Sequence, residues 1–202
     1  MTIVDATRPM LLHGPVRVLV LENDDSFSWN VVESLPVDRR DVRLCPGREA
    51  ARDPRAVETA DVVVVGPGPT DPVRAGIVDV VRMAARLERP LLGICLGHQA
   101  LGLAYGAKLV RAAPVHGKRT AIVFGRSRLF PHFAGPELVM RYNSLGLAAV
   151  EAPLRVIARS EDGTPMAIEH ESLPMAGLQF HPDSFGSPRG REMIADFFEA
   201  VT

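Results

Sequence analysis

From residue 16 onward the apolar positions fall into short blocks separated by polar or glycine- and proline-bearing turns. Residues 16–21 form an apolar run of the kind a strand buried on both faces requires. Residues 26–34 read as helix, 42–45 as a second short strand, and Asp61 followed by four valines at 62–65 as a third. Apolar residues at helical spacing cover 75–87, residues 91–94 give a fourth strand, and 99–105 a helix that stops at Gly106. Strand and helix thus alternate, which predicts a parallel sheet with helices on both faces. After Gly106 the pattern changes to β-like runs at 107–110, 120–124, 138–142, 155–160, 165–169 and 175–180, separated by turns as in antiparallel segments. A helix over 189–200 closes the chain. The expected fold is one α/β domain over residues 16–202, with an open, mostly parallel central sheet flanked by helices and additional antiparallel strands in its C-terminal half. Residues 1–15 have weak periodicity, broken by Pro9, Gly14 and Pro15, and read as an N-terminal extension or linker.

Composition narrows the function classes. A chain of 202 residues with 47% hydrophobic residues and a formal net charge of −1 has material for a substantial core and no signature of disorder. Only Lys108 and Lys118 are lysines, and the arginines are scattered. A nucleic-acid surface needs a basic patch or stripe, so no nucleic-acid partner is expected. No apolar run approaches a membrane span and no basic-then-apolar leader opens the chain, so no membrane partner and a cytoplasmic location are expected. The two cysteines, Cys45 and Cys95, cannot make a disulfide scaffold, and no Cys/His spacing resembles a metal site. Cys45, before Pro46 and Gly47, reads as a small apolar filler.

Cys95 is different. Gly93-Ile94-Cys95-Leu96-Gly97 sets a thiol between two glycines directly after an apolar strand. That is the pattern of a nucleophile elbow, a strand-to-helix turn so sharp that a Cβ on either side would clash. A nucleophile there sits at a helix N-terminus, where the dipole and free N–H groups favour thiolate. Such a thiol needs a base. His98 is better suited to packing, His13 and His132 lie in loop-like contexts without a partner, His116 stands in a glycine-containing loop, and His170 between Glu169 and Glu171 looks like surface. His181 ends a β-like run, which places it on the same sheet rim as the elbow. Asp183, two residues on, is available to orient its imidazole. The loop Gly66-Pro67-Gly68-Pro69-Thr70-Asp71-Pro72 offers a glycine N–H that, with the N–H of Leu96, would bind a tetrahedral oxyanion; it also reads as a rigid turn capping the next helix.

Taken together, Gly93-Ile94-Cys95-Leu96-Gly97-His98-Gln99 and Phe180-His181-Pro182-Asp183-Ser184 resemble the class I, triad-type glutamine amidotransferases. Glu22-Asn23-Asp24-Asp25-Ser26-Phe27-Ser28-Trp29-Asn30, His116-Gly117-Lys118 and Tyr142-Asn143-Ser144-Leu145 are similar to segments of the amidotransferase subunits of anthranilate synthase and aminodeoxychorismate synthase. The resemblance implies that Cys95 attacks the side-chain amide of L-glutamine, His181 moves the proton to departing ammonia, and Asp183 holds His181. It further implies an oxyanion hole from the N–H groups of Gly68 and Leu96, and a glutamine site from Gln99, Ser144 and Leu145. His116, Gly117 and Lys118 would face a chorismate-binding synthase, as a separate subunit or fused domain, or else form an ordinary solvated turn. The glutaminase itself would need no cofactor, and magnesium is expected only in the synthase partner. Three positions depart from the pattern: Asp183 stands for the usual glutamate, Thr70 for a frequent glycine, and Asn143 for the usual histidine. These departures leave room for an alternative, a catalytically decayed structural or regulatory subunit. A cysteine variant of the α/β-hydrolases fits poorly, because that fold places its acid before its histidine in the chain.

Overall fold

The computed structural model describes residues 15–202, so the expected extension at 1–15 lies, except for Pro15, outside the described residues. Among these residues nine strands, taken from one edge to the other, form one sheet with a parallel and an antiparallel half. Its first half is parallel: β2 (Val42–Pro46), β1 (Val18–Glu22), β3 (Val62–Val65), β4 (Leu91–Ile94) and β11 (Met175–Leu178) all run the same way. The second half is antiparallel: β10 (Pro165–His170), β9 (Leu154–Ser160), β6 (Lys118–Phe124) and β7 (Gly135–Arg141). A separate antiparallel pair joins β5 (Lys108–Arg111) to β8 (Leu145–Ala148).

The period of two along each parallel strand explains why both faces must be covered. Val18, Val20, Val62, Val64, Leu92 and Ile94 point to one side, where they pack with Val31 and Val32 of α1 (Ser28–Ser34) and with Met193, Ile194, Phe197 and Phe198 of α6 (Gly190–Val201). Leu19, Leu21, Val63, Val65 and Leu91 point to the other, against α3 (Pro54–Glu58), α4 (Ile77–Arg86) and α5 (Leu96–Ala104). All four valines of β3 are fully buried, each contributing about 2 kcal/mol relative to exposure.

Several expectations are corrected. The last β-like run is β11, which pairs parallel to β4 and antiparallel to β10, so it is the seam between the two half-sheets and not one more antiparallel segment. Apolar patterning reports burial but not strand direction, and this strand is buried at every position. The helix expected at 99–105 starts at Leu96, immediately after Cys95. Two short helices, α2 (Gly47–Ala50) and α3, escaped the pattern because neither exceeds five residues, too few to show a helical period, and strand β8 escaped it as well. For α3 a local signal was present: Asp53 caps the Arg55 N–H, and Pro54 opens the helix.

His170 and Glu169 are also not surface residues. Glu169 is 1% exposed in β10, where it pairs with Arg155 and accepts the Ser127 hydroxyl at 2.6 Å. His170 Nδ1 accepts the backbone N–H of Leu173 at 3.0 Å. Nor is His132 unpartnered, since its Nδ1 and backbone N–H both meet Asp196 of α6. Cys45 packs inside the second core layer, and among the described residues no helix is long and apolar enough to cross a membrane.

Candidate active site

In an open parallel sheet, the rim at the carboxyl ends of the strands is where ligand sites form, beside the point where strand order reverses. Here β1 lies between β2 and β3, so the reversal falls at its end, and β4, on the far side of β3, leads into Cys95. Cys95 has φ 53° and ψ −96°, a strained conformation that costs about 1–3 kcal/mol and persists because its surroundings leave no alternative. A Cβ on Gly97 would lie 2.3 Å from the Val65 carbonyl oxygen, and one on Gly93 would lie 2.5 Å from the Gly97 carbonyl. The Cys95 N–H is meanwhile fixed on the Leu178 carbonyl at 2.7 Å. The sulfur therefore stands half-buried at the N-terminus of α5.

Beside it runs the loop after β3. A Cβ on Gly68 would sit 2.6 Å from Leu96 Cδ2 and 2.8 Å from Asn23 Cβ, so this loop lies directly against the elbow. Asn23 straps it down by donating to the Gly66 carbonyl at 3.1 Å and the Pro67 carbonyl at 3.4 Å. Among the described residues neither the Gly68 nor the Leu96 N–H has a protein acceptor, so both donors remain available to an anion.

His181 is brought to the same place from the far half of the chain. Its backbone N–H bonds to the Met140 carbonyl at 2.9 Å, and Ser187 Oγ donates to its carbonyl at 2.7 Å while accepting the Met140 N–H at 2.9 Å. The ring is boxed edge-on by Tyr142, with centroids 5.0 Å apart, and by Phe27 at 5.5 Å. Burial opposes a charge on this imidazole, yet the Asp183 carboxylate and the Cys95 sulfur beside it outweigh that and raise its pKa to about 10. The Cys95 sulfur, 86 positions away in the chain, is thus near enough to His181 to bear on its proton. The contact with Asp183 is looser. Nδ1 and Oδ1 are 3.4 Å apart, beyond a good hydrogen bond, and among the described residues His181 Nδ1 and both buried Asp183 oxygens have no hydrogen-bond partner. His98 is fully buried, which pushes its pKa down to about 4, and it packs on Gly177.

Gln99, on α5, donates to the Leu145 carbonyl at 3.2 Å and to Gln179 Oε1 at 3.2 Å. Asn143 donates to the same Leu145 carbonyl at 2.9 Å and accepts from Arg141 Nε at 3.1 Å. Ser144 is exposed beside them. His116, Gly117 and Lys118 are exposed as well, with Lys118 as the first residue of β6. The Gly117 N–H is held on the Arg141 carbonyl at 2.9 Å, and Tyr142 lies just beyond it, so these three residues form part of the site's rim. Asn23, Phe27, Tyr142 and Gln179 contribute to the site without having been singled out by the residue pattern. The first three lie in segments that carried the family resemblance, and Gln179 in the run leading to His181. Among the described residues no group of three or more His, Cys, Asp or Glu is placed to hold a metal ion.

The profile of the family "Glutamine amidotransferase class-I" matches residues 19–201, and the chain belongs to that family. It is 38% identical over 192 residues to the aminodeoxychorismate synthase component 2 of Escherichia coli K12, covering 89% of this chain and 98% of that protein. It is 36% identical over 188 residues to the anthranilate synthase component 2 of Mycobacterium tuberculosis H37Rv, covering 90% of this chain and 81% of the other. The aminodeoxychorismate synthase of Streptomyces griseus is 37% identical over 185 residues, which is 90% of this chain but 26% of that protein, so the chain spans about a quarter of its length. A solved glutamine amidotransferase from Thermotoga maritima shares the fold, with a TM-score of 0.76 at 15% identity over 94% of this chain and 99% of the other.

Proposed function

We propose that this chain is a glutaminase that hydrolyses L-glutamine through a cysteine thioester and passes the ammonia to a chorismate-aminating synthase. The observation that carries the reading is the meeting of Cys95, on a strained elbow at a helix N-terminus, with a His181 ring whose affinity for a proton is raised by Asp183 and by the sulfur itself. The sulfur attacks the side-chain amide carbon of glutamine. The resulting oxyanion is held by the N–H groups of Gly68 and Leu96, which have no protein acceptor among the described residues and belong to a loop and an elbow packed against each other. His181 gives its proton to the amide nitrogen as the carbon–nitrogen bond breaks, so ammonia leaves and a γ-glutamyl thioester remains. Water then attacks the thioester, His181 takes a proton from it, and glutamate departs with the sulfur restored. Asp183 steadies the imidazolium, and Gln99 with the 144–145 segment grips the amino-acid end of glutamine. No step draws on a metal or a cofactor.

The synthase partner is supported by the relatives, which carry the names of components, or fused wholes, of anthranilate and aminodeoxychorismate synthases. His116, Gly117 and Lys118, exposed on the rim near Tyr142, are the residues we assign to that partner. The alternative, a decayed subunit with a structural or regulatory role, draws on the open His181–Asp183 contact. One experiment separates them. With a chorismate-binding synthase added, Cys95→Ala abolishes glutamine-dependent amination and leaves ammonia-dependent amination intact. Glutamine-dependent amination that survives Cys95→Ala, or that is missing from the unmodified chain, overturns the reading.

A further inference from the structure

Gln179 is fully buried, and a buried primary amide has four hydrogen-bonding positions to satisfy. Its partners dictate which way it faces. The Leu145 carbonyl only accepts, so Gln99 must present its NH2 group there, at 3.2 Å. The second N–H of that same NH2 reaches Gln179 at 3.2 Å, which fixes the Gln179 oxygen toward Gln99. The Gln179 NH2 is therefore turned to the Cys95 sulfur, at 3.8 Å. Asn143 reinforces this polarity. Arg141 only donates, so Asn143 must accept from it and give its own N–H to Leu145. Every bond in the chain from Arg141 to the sulfur thus has one permitted direction, and among the described residues no donor reaches Gln99 Oε1.

We propose that Gln179 is a positioning residue that holds the Cys95 sulfur with its N–H while taking a bond from Gln99. One side chain then ties the attacking atom to the group that grips the amino-acid end of glutamine. This rests on the glutaminase reading given above. A ligand that orders Gln99 also orders Gln179, and through it the sulfur, which is how reacting groups are kept at attack distance; a misplacement of about 1 Å can cost roughly a hundredfold in rate.

The test is Gln179→Met, which keeps the volume and removes both bonds, with Gln179→Asn as a second variant that keeps an amide but withdraws it about 1.5 Å from the sulfur. Two readouts are compared on the full chain: the rate at which iodoacetamide alkylates Cys95, and steady-state glutamine hydrolysis. The expected result is Cys95 alkylation slowed about tenfold, with kcat lowered about thirtyfold and KM changed less than kcat. Should Gln179→Met fail to fold by circular dichroism, Gln179→Asn carries the same expectation. A folded variant that alkylates and turns over within twofold of the unmodified chain, whatever its melting temperature, overturns the proposal. Alkylation requires no turnover, so an unmodified chain that hydrolyses no glutamine even with a chorismate-binding synthase added sinks the glutaminase reading while the alkylation ratio still decides what Gln179 does.

Discussion

The sulfur side and the imidazole side of this site are built to different tolerances. Around Cys95 almost nothing is free to move: glycines at 93 and 97 fit where no Cβ fits, and Asn23 straps the neighbouring loop. Around His181 the backbone is equally well held by Met140 and Ser187, but the side-chain contact that should matter most is slack. Asp183 lies 3.4 Å from Nδ1, and among the described residues its buried carboxylate has no hydrogen-bond partner. A buried carboxylate without hydrogen bonds is costly even beside a cation. The difference shows where this chain has no room for change and where it has room for repair.

The largest effect comes from breaking the tight side. Gly97→Ala puts a carbon 2.3 Å from the Val65 carbonyl oxygen, and both belong to backbone that cannot step aside. A loss of about 3 kcal/mol in urea unfolding is expected, together with loss of measurable glutaminase activity. A variant that keeps its stability and rate would mean the elbow is softer than its contacts imply. A smaller effect follows from Asn23→Ala, which unties the Gly66–Gly68 loop while leaving the elbow untouched. Loss of its bonds is worth about 1 kcal/mol in stability. With one oxyanion donor less well placed, kcat should fall about tenfold and KM little. A change in KM alone would place Asn23 in substrate binding.

These two sides were not equally legible in the amino-acid sequence. The elbow is a local object: five consecutive residues set its turn, and the apolar runs of β1, β3 and β4 announce strands covered on both faces. The parallel half of the fold could be read for the same reason. His181 was found by its place at the end of an apolar run, yet the direction of that run stayed hidden, because burial on both faces looks the same in a parallel and an antiparallel strand. Phe27, Tyr142, Asn23 and Gln179 act through contacts spanning tens of positions in the chain, such as the 84 between Gln179 and Cys95. No spacing rule reaches that far. Glu169 and His170 misled for the opposite reason, since charged neighbours suggest surface while Arg155 and the Ser127 hydroxyl satisfy Glu169 inside the sheet.

The slack side offers an improvement instead of a loss. Asp183→Glu lengthens the side chain by one methylene, about 1.5 Å, enough to close the gap to His181 Nδ1. If that gap limits turnover, kcat should rise about tenfold, the inverse of what small misplacements cost. Melting temperature serves as the control, because the Asp183 side chain is fully buried and the added carbon must find space. An unchanged or lower kcat in a stable variant would show that the long contact already suffices.

The gentlest probe of the contrast is pH. His181 carries a proton in the folded chain well above its ordinary value of 6.5, up to about 10, because Asp183 and the Cys95 sulfur outweigh its burial. A group whose pKa is raised on folding adds stability that is complete below the unfolded value and is lost as pH climbs through the folded one. Urea unfolding should therefore show stability declining between about pH 6.5 and 10, and His181→Gln should flatten that decline. Asp183→Asn removes one of the charges holding the proton, so its decline should be shallower and end at a lower pH. Asn23→Ala acts only on the sulfur side and should shift the whole curve down without changing its slope. A slope that responds to Asn23 as strongly as to Asp183 would mean the two sides are one rigid unit, and the distinction between them would disappear.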